Sequence, residues 1–131
     1  MRSSRPGENL RIIVTGMVGQ YPLGGVAWDY FHYVLGLSAL GHDVYYHEDT
    51  WCWPLDPRRG YAVDDPSVAA NFIRGFFEVR APHLSGRWHY LFLHDRSFGM
   101  SRDAFDEVAR TADVFLNVSG ACFLPDNLNP K

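Results

Sequence analysis

Residues 11–25 read Arg-Ile-Ile-Val-Thr-Gly-Met-Val-Gly-Gln-Tyr-Pro-Leu-Gly-Gly, and this stretch decides the fold of the chain. Its apolar, β-branched first half predicts a buried strand over residues 11–17. Its second half is a loop that ends in two adjacent glycines, after which the spacing of apolar residues predicts a helix from Val26 to Leu40. A second strand is predicted over residues 43–48. A strand, a loop, a helix and a strand in this order form the repeating unit of open α/β sheets.

Local signals along the rest of the chain extend this unit. Asp65-Pro66 predicts the N-cap and first residue of a second helix, and Ser101 predicts the N-cap of a third. Strands are predicted at 88–93 and 114–118, and residues 50–64 form a long irregular loop. Right-handed crossovers then predict a Rossmann-like, doubly wound α/β sheet, with four parallel strands in the order 3-2-1-4 and helices on both faces. On the first helix, the apolar spacing predicts one buried face, made of Val26, Tyr30, Tyr33, Val34, Leu37 and Leu40.

The composition is that of an ordinary globular domain. The chain has 131 residues, 47% of them hydrophobic, and a formal net charge of −3, and no cluster of Lys and Arg indicates a nucleic-acid partner. No apolar run is long enough to span a membrane and the N-terminus lacks an export signal, so we expect a soluble, cytoplasmic protein. Residues 1–9 are predicted to be a flexible leader, and residues 10–131 a single domain. Cys52 and Cys122 lack metal-ligand spacing, so no metal site is predicted; two buried or partly buried thiols are favoured, and a disulfide stays open.

Two segments carry a resemblance to a known family. Residues 19–30, Gly-Gln-Tyr-Pro-Leu-Gly-Gly-Val-Ala-Trp-Asp-Tyr, and residues 41–44, Gly-His-Asp-Val, resemble the N-terminal domain of GT-B glycosyltransferases. With Glu-Asp-Thr at 48–50, the run is similar to that of a group of bacterial proteins assigned to the glycosyltransferases. The resemblance covers residues 11–50 well and the remainder loosely. It implies that the chain is the N-terminal, acceptor-side half of a two-domain enzyme, whose C-terminal Rossmann-like domain holds most of the sugar-nucleotide contacts.

The resemblance also implies an activity and partners. The parent protein is expected to transfer a sugar from a nucleotide-sugar donor to a small-molecule or glycan acceptor. This chain alone is expected to be inactive, and to bind either the missing C-terminal domain or a second copy of itself. Inverting enzymes of this architecture often carry a catalytic His just after the first strand, where residues 17–20 offer no titratable group. This departure favours a retaining mechanism, or a chain that is not catalytic by itself.

Gly24 and Gly25 are predicted to contact the donor diphosphate. Glycine lets the backbone approach a ligand, and the N-terminus of a helix adds N–H donors and partial positive charge. A tight turn that requires positive φ is the alternative. We expect residues 18–25 to be mobile in the absence of that ligand. A nicotinamide or flavin cofactor is not predicted, because Gly16 and Gly19 do not match the Gly-x-Gly-x-x-Gly pattern.

The end of the third predicted strand supplies candidate catalytic residues. Open α/β sheets bind ligands at the carboxyl ends of their strands, so we expect His94 to act as a general base, with Asp95 adjusting its pKa. A surface loop in which Arg96 forms a local ion pair is the alternative. The candidate acceptor-binding residues are Tyr21, Asp29, Glu48, Asp49, Trp51 and Trp53. The alternative for Asp29 is a favourable interaction with the dipole of the first helix. The alternative for Trp51 and Trp53 is to form a hydrophobic plug that packs over the sheet.

A non-catalytic function stays open beside the enzymatic one. In that alternative, the Rossmann-like domain is a binding module for a small aromatic ligand or a partner domain. The loops that follow the strands are unusually apolar for loops that face solvent, and we expect some of their side chains to be exposed and to promote self-association. We call this surface the aromatic rim; its predicted members are Tyr21, Leu23, Trp51, Trp53, Phe98 and Phe123.

Overall fold

A mostly parallel sheet organises the part of the chain that the computed structural model describes, residues 8–118 and 120–125. The predicted leader, residues 1–9, lies outside the described residues except for its last two. Within the described residues, no helix is long and apolar enough to cross a membrane. The elements in chain order are β1 (Arg11–Thr15), α1 (Gly24–Ala39), β2 (Asp43–Glu48), β3 (Leu55–Asp56), β4 (Tyr61–Ala62), α2 (Pro66–Arg80), a short 3₁₀ helix (Pro82–Leu84), β5 (Trp88–Phe92), β6 (Arg96–Gly99), α3 (Arg102–Thr111) and β7 (Val114–Leu116).

The parallel strands lie in the order β5–β2–β1–β7, which confirms the predicted order. β1 is central and pairs with β2 from Arg11 opposite Asp43 to Thr15 opposite His47. A further strand, β6, pairs antiparallel with β5 at the edge of the sheet. β6 was not predicted from the sequence, because its turn places Leu93 in the left-handed region, at φ 49°, and lacks the Asn-Gly or Asp-Gly pair that marks many tight hairpins.

Helices cover both faces of the sheet, as predicted. Side chains alternate along a strand, so Ile12 and Val14 of β1 pack in one apolar layer and Ile13 packs in the other. The first layer includes the buried faces of α1 and α2. The second layer includes Phe105 and Val108 of α3. The sheet is therefore covered on both sides, and its carboxyl edge is left for the loops that follow the strands.

The N-caps of α2 and α3 that local signals predict are confirmed. At the start of α2, the carboxylate of Asp65 accepts a hydrogen bond of 3.0 Å from the N–H of Ser67. At the start of α3, the hydroxyl of Ser101 accepts one of 3.1 Å from the N–H of Ala104. After α1, Gly41 adopts the left-handed conformation with φ 93°, in which glycine alone is unstrained.

The buried face of α1 differs from the predicted one. Tyr33 is 48% exposed and Leu40 is 73% exposed, although both were expected to face the sheet. The helix is apolar on several sides, so the spacing of its apolar residues is compatible with more than one buried face. The residues that it buries are Ala27, Tyr30, Phe31 and Val34.

The segment 50–64 is not irregular throughout, because it contains the short antiparallel pair of β3 and β4. The buried carboxylate of Asp56 accepts a hydrogen bond from the N–H of Arg58, and this bond stabilises the turn between β3 and β4. Cys52 is exposed and Cys122 is buried, and both thiols are free. Two separate thiols were predicted, but the exposure of Cys52 corrects the expectation that both are at least partly buried.

Candidate functional site

A cavity of about 300 Å³ lies at the carboxyl edge of the sheet, beside the ends of β2 and β5 and against α3. This is the edge at which open α/β sheets bind ligands. One part of the lining is polar: His47, Asp49, His89, His94, Arg102 and Asp106. The other part is apolar: Leu91, Phe105, Phe123, Leu124 and Pro125.

His94 and Asp49 form a hydrogen-bonded pair in this cavity. Nδ1 of His94 lies 2.9 Å from Oδ2 of Asp49, and Asp49 is only 6% exposed. An ionised carboxylate only accepts hydrogen bonds, so with Asp49 ionised the shared proton sits on Nδ1, and in the uncharged form of the ring Nε2 carries a lone pair. An imidazole held in this tautomer by a carboxylate is arranged to take a proton at Nε2.

Two aromatic rings hold the imidazole of His94 in place. The ring of Trp51 stacks on it with a centroid separation of 4.3 Å and an interplanar angle of 17°. The ring of Phe123 meets it edge-on at 4.8 Å. Because packing restricts the ring on two sides, the hydrogen bond to Asp49 is made at a low cost in side-chain entropy.

Backbone strain is concentrated at the same place. Within the described residues, the non-glycine residues with positive φ are Trp51 at 59°, Leu93 at 49° and His94 at 58°. The left-handed conformation costs an L-residue roughly 1–2 kcal/mol. Two of these residues form the stacked pair and the third precedes His94, so the strain is located where the site is built, a pattern typical of functional positions.

Asp49 contributes a second unusual feature. Its Oδ1 is buried and has no hydrogen-bond partner within the described residues. Burial raises the pKa of the Asp49 carboxyl, and the neighbouring His94 opposes that rise. A buried acceptor without a donor costs about 1–3 kcal/mol, so the chain retains at this position a polar group that does not serve stability.

Glu48, a predicted acceptor-binding residue, occupies a different environment. It is fully buried, and its carboxylate accepts hydrogen bonds from the N–H of Gly19, the N–H of Gln20 and the hydroxyl of Tyr46. Burial raises the pKa of Glu48 to about 7, although those hydrogen bonds oppose the rise. The carboxylate therefore anchors the loop between β1 and α1, and contact with an acceptor stays a prediction.

Glycine is required at one point of this anchored loop. A Cβ at Gly19 would lie 2.8 Å from the Cβ of Ala69 and 2.9 Å from Cδ1 of Ile73. The N–H of Gly19 reaches Glu48 only because the backbone passes this close to α2.

The loop 18–25 is largely satisfied by internal hydrogen bonds. Besides the bonds to Glu48, the N–H of Val18 donates to the Tyr46 hydroxyl, and the N–H of Tyr21 donates to the carbonyl of Met17. These amides are not free for a phosphate, which counts against a phosphate role for the first half of the loop. The donors that remain belong to the first turn of α1, where the predicted diphosphate residues lie.

Gly24 and Gly25 begin α1, which has no side-chain cap at its N-cap residue, Leu23. A Cβ at either glycine would meet no other atom within 4 Å, so the space beside this turn is open. The first N–H groups of a helix have no partner inside it, and here they are left without a capping side chain. The geometry leaves room for an anion at this turn, and its binding stays a prediction.

The other predicted site residues do not line the cavity. Asp95 is exposed, and its backbone N–H donates to the carbonyl of Phe92. The carboxylate that contacts His94 is that of Asp49, a pairing that the sequence did not indicate, and a role for Asp95 stays a prediction. The remaining predicted acceptor residues are also exposed, and their roles stay predictions: Tyr21, Asp29 and Trp53.

Sequence reasoning did not identify the most buried polar residues of the cavity. His47 on β2 and His89 on β5 lie opposite each other in the strand register, and their Nδ1 atoms are 3.1 Å apart. Burial lowers the pKa of both rings, to about 4 for His89. The only available signal was a histidine inside each of two predicted strands. Contact between the two histidines can be inferred only once these strands are known to be neighbours in the sheet.

Comparisons of this chain with protein-family models, with curated proteins and with solved structures find no match. Within the described residues, no group of three or more His, Cys, Asp and Glu side chains is arranged to hold a metal ion.

Proposed function

We propose that this chain is the acceptor-side domain of a nucleotide-sugar-dependent glycosyltransferase, with the acceptor in the cavity and His94 as its general base. The observation that carries the proposal is the pair of His94 and Asp49, held between two aromatic rings at the carboxyl edge of the sheet. Glycosyl transfer needs a group that accepts the proton of the acceptor hydroxyl, and a neutral imidazole with a free Nε2 meets that need.

The proposed step is a displacement at the anomeric carbon of the donor sugar. The acceptor oxygen forms a bond to that carbon, the bond to the donor phosphate oxygen breaks, and the hydroxyl proton passes to Nε2 of His94. Asp49 orients the ring and stabilises the imidazolium that results. In this proposal His94, in the turn after β5, takes the role of the catalytic His that many inverting enzymes carry after the first strand. The site is therefore compatible with a single displacement as well as with the retaining route.

The donor diphosphate is assigned to the N-terminus of α1. Gly24 and Gly25 expose N–H groups beside open space, and a helix N-terminus favours negative charge. Few hydrogen bonds are available there, each contributing about 0.5–1.5 kcal/mol net, against the cost of immobilising the ligand. We therefore expect this chain alone to transfer no sugar and to bind a UDP- or dTDP-sugar with a Kd on the order of 1 mM or weaker.

A second candidate function is a non-catalytic binding module for a small aromatic ligand. The observation that favours it is the apolar part of the cavity, where the rings of Phe105 and Phe123 supply flat surfaces. Under this function the imidazole of His94 is a stacking and hydrogen-bonding group, and the chain binds a probe such as p-nitrophenol without any need for a sugar donor.

NMR titration of the 131-residue chain tests the proposal. UDP-glucose is expected to shift the amides of Gly24 and Gly25, and simple sugars such as glucose and N-acetylglucosamine are expected to shift His94 and Trp51. Gly25→Ala places a methyl group in the open space at the helix N-terminus and is expected to weaken the response to UDP-glucose. Gly36→Ala also places a methyl group in open space, but in the middle of α1, and is the matched control.

The outcomes separate the two functions. A response to p-nitrophenol at His94, with no response to sugars or UDP-glucose at millimolar concentrations, overturns the glycosyltransferase proposal in favour of the module. An equal loss of the UDP-glucose response in Gly25→Ala and Gly36→Ala overturns the assignment of the diphosphate to the helix N-terminus.

A further inference from the structure

The imidazoles of His47 and His89 form a buried pair joined edge to edge. Their Nδ1 atoms are 3.1 Å apart, the ring planes differ by only 6°, and the ring centroids are 5.2 Å apart. Both rings stack on Phe105 of α3, with centroid separations of 4.2 Å and 4.5 Å. The two rings therefore lie side by side under one aromatic cover, which fixes the line of their shared hydrogen bond.

The pair is buried at a cost that packing alone does not explain. His47 is 2% exposed and His89 is 0% exposed. Burial keeps both rings neutral at ordinary pH, because it lowers the pKa of each. Burying a polar group costs free energy unless the group is hydrogen-bonded, and two apolar side chains would fill this layer without needing any hydrogen bond.

The pair also has two distinct ends. At the outer end, Nε2 of His89 lies 2.8 Å from Oγ of Ser97, which is half-buried on the edge strand β6. At the other end lies His47, which lines the cavity as His89 also does, and within the described residues Nε2 of His47 has no hydrogen-bond partner. A continuous line of hydrogen bonds therefore runs from the cavity to the edge of the sheet.

We infer that His47, His89 and Ser97 form a proton relay between the cavity and solvent. In one arrangement, Nδ1–H of His47 donates to His89, Nε2–H of His89 donates to Ser97, and Nε2 of His47 carries a lone pair. In the other, the hydroxyl of Ser97 donates to His89, Nδ1–H of His89 donates to His47, and Nε2 of His47 carries the proton. Both arrangements satisfy the same two hydrogen bonds, because a hydroxyl can donate and accept.

The conversion between the arrangements moves one proton and leaves both rings neutral. A group in the cavity gives a proton to Nε2 of His47, whose Nδ1 proton passes to Nδ1 of His89. The Nε2 proton of His89 passes to Oγ of Ser97, and the original hydroxyl proton of Ser97 passes to water. The reverse sequence brings a proton from water to the cavity. The relay is a property of the folded chain and does not depend on sugar transfer.

The test is histidine-selective ¹⁵N NMR, which distinguishes the two neutral tautomers. The ¹⁵N resonances of His47 and His89 in the unmodified chain are expected to lie between the values of the pure tautomers, since both arrangements are populated. Ser97→Ala removes the group that can both donate and accept, and is expected to move the resonances toward those of one tautomer. Ser97→Thr keeps the hydroxyl and is expected to restore them.

Ser85→Ala is the matched control, because Ser85 is exposed, precedes β5 and lies outside the hydrogen bonds that join His47, His89 and Ser97. Circular dichroism of each variant establishes that it is folded. The relay is overturned if both rings of the unmodified chain show one pure tautomer, if either ring is protonated near pH 7, or if folded Ser97→Ala leaves the resonances unchanged. No sugar or nucleotide enters the experiment, so its outcome is independent of the glycosyltransferase proposal.

Discussion

Glu48 shows how one buried carboxylate links pH to the stability of the chain. Its pKa is about 7 in the folded chain, against an ordinary value of 4.5. Between these two values the folded state holds a proton that the unfolded state has lost. The contribution of Glu48 to the unfolding free energy therefore falls as pH rises from about 4.5 to about 7, and is constant above that range.

Glu48→Gln removes this titration, and we expect it to change the pH dependence of stability. The unfolding free energy of the unmodified chain minus that of the variant is expected to fall, on the order of 1–3 kcal/mol, as pH rises from 4.5 to 7. Denaturant unfolding at a series of pH values measures the difference. The pKa values of His47 and His89 are lowered, so these residues make the unfolding free energy rise with pH. Both residues are present in the unmodified chain and in the variant, so their effect cancels in the difference.

Glu78→Gln makes the same chemical change on the exposed side of α2, outside the buried network, and is the control for that experiment. A Glu48→Gln difference that does not vary with pH contradicts the assignment of a raised pKa to this carboxylate.

At the scale of elements, the three helices begin in different ways. α2 and α3 have side-chain caps, whereas the N-cap residue of α1 is Leu23, whose side chain cannot accept a hydrogen bond. An N-cap Ser, Thr, Asp or Asn typically stabilises a helix by about 1 kcal/mol relative to a residue without a capping oxygen. α1 therefore lacks this stabilisation at the turn for which we propose contact with the donor diphosphate.

Leu23→Ser is expected to raise the unfolding free energy by about 1 kcal/mol. Leu23 has the extended conformation of an N-cap, with φ −123° and ψ 139°, and is 44% exposed, so little apolar burial is lost. Asp65→Ala is the companion change at α2 and is expected to lower the unfolding free energy by a similar amount. Thermal and denaturant unfolding measure both; a Leu23→Ser protein less stable than the unmodified chain contradicts the expectation.

The parts of the fold that the sequence predicts are those with local signals. The parallel strands and the caps Asp65 and Ser101 follow from apolar runs and capping residues nearby in the chain. β6 has no such signal, because its hairpin turns through left-handed Leu93 and His94. The site was predicted only in part, because only some of its features have local signals. His94 and Asp49 were each identified from their position after a strand, but their pairing depends on the adjacency of β2 and β5.

At the scale of the whole molecule, five of the six predicted members of the aromatic rim are exposed and one is not. Phe98 packs against the core from β6. The apolar side chains that remain on the surface belong to loops at the carboxyl edge of the sheet, and exposed apolar surface is common at sites of protein–protein contact. The exposed members are Tyr21, Leu23, Trp51, Trp53 and Phe123.

The chain is expected to self-associate through the aromatic rim. Sedimentation velocity at increasing protein concentration is expected to show a rising average mass, because association removes apolar side chains from water. The double change Tyr21→Ser and Trp53→Ser is expected to shift the curve toward the monomer. Tyr33→Ser is the matched control, since Tyr33 is 48% exposed but lies on α1 outside the rim. A monomer at every concentration supports a self-contained module instead.

The position of β6 at the edge of the sheet affects how the protein behaves at high concentration. A parallel strand such as β5, buried throughout, would offer an open row of backbone donors and acceptors to any other chain if it formed the edge of the sheet. β6 pairs with that edge of β5, and its own first and last residues are Arg96 and Gly99. The opposite border is β7, which has three residues. A very short edge strand and an edge strand that carries a charged residue both resist the strand-to-strand addition that begins amyloid growth. We therefore expect any contacts between copies to form through side chains at the aromatic rim rather than through the backbone.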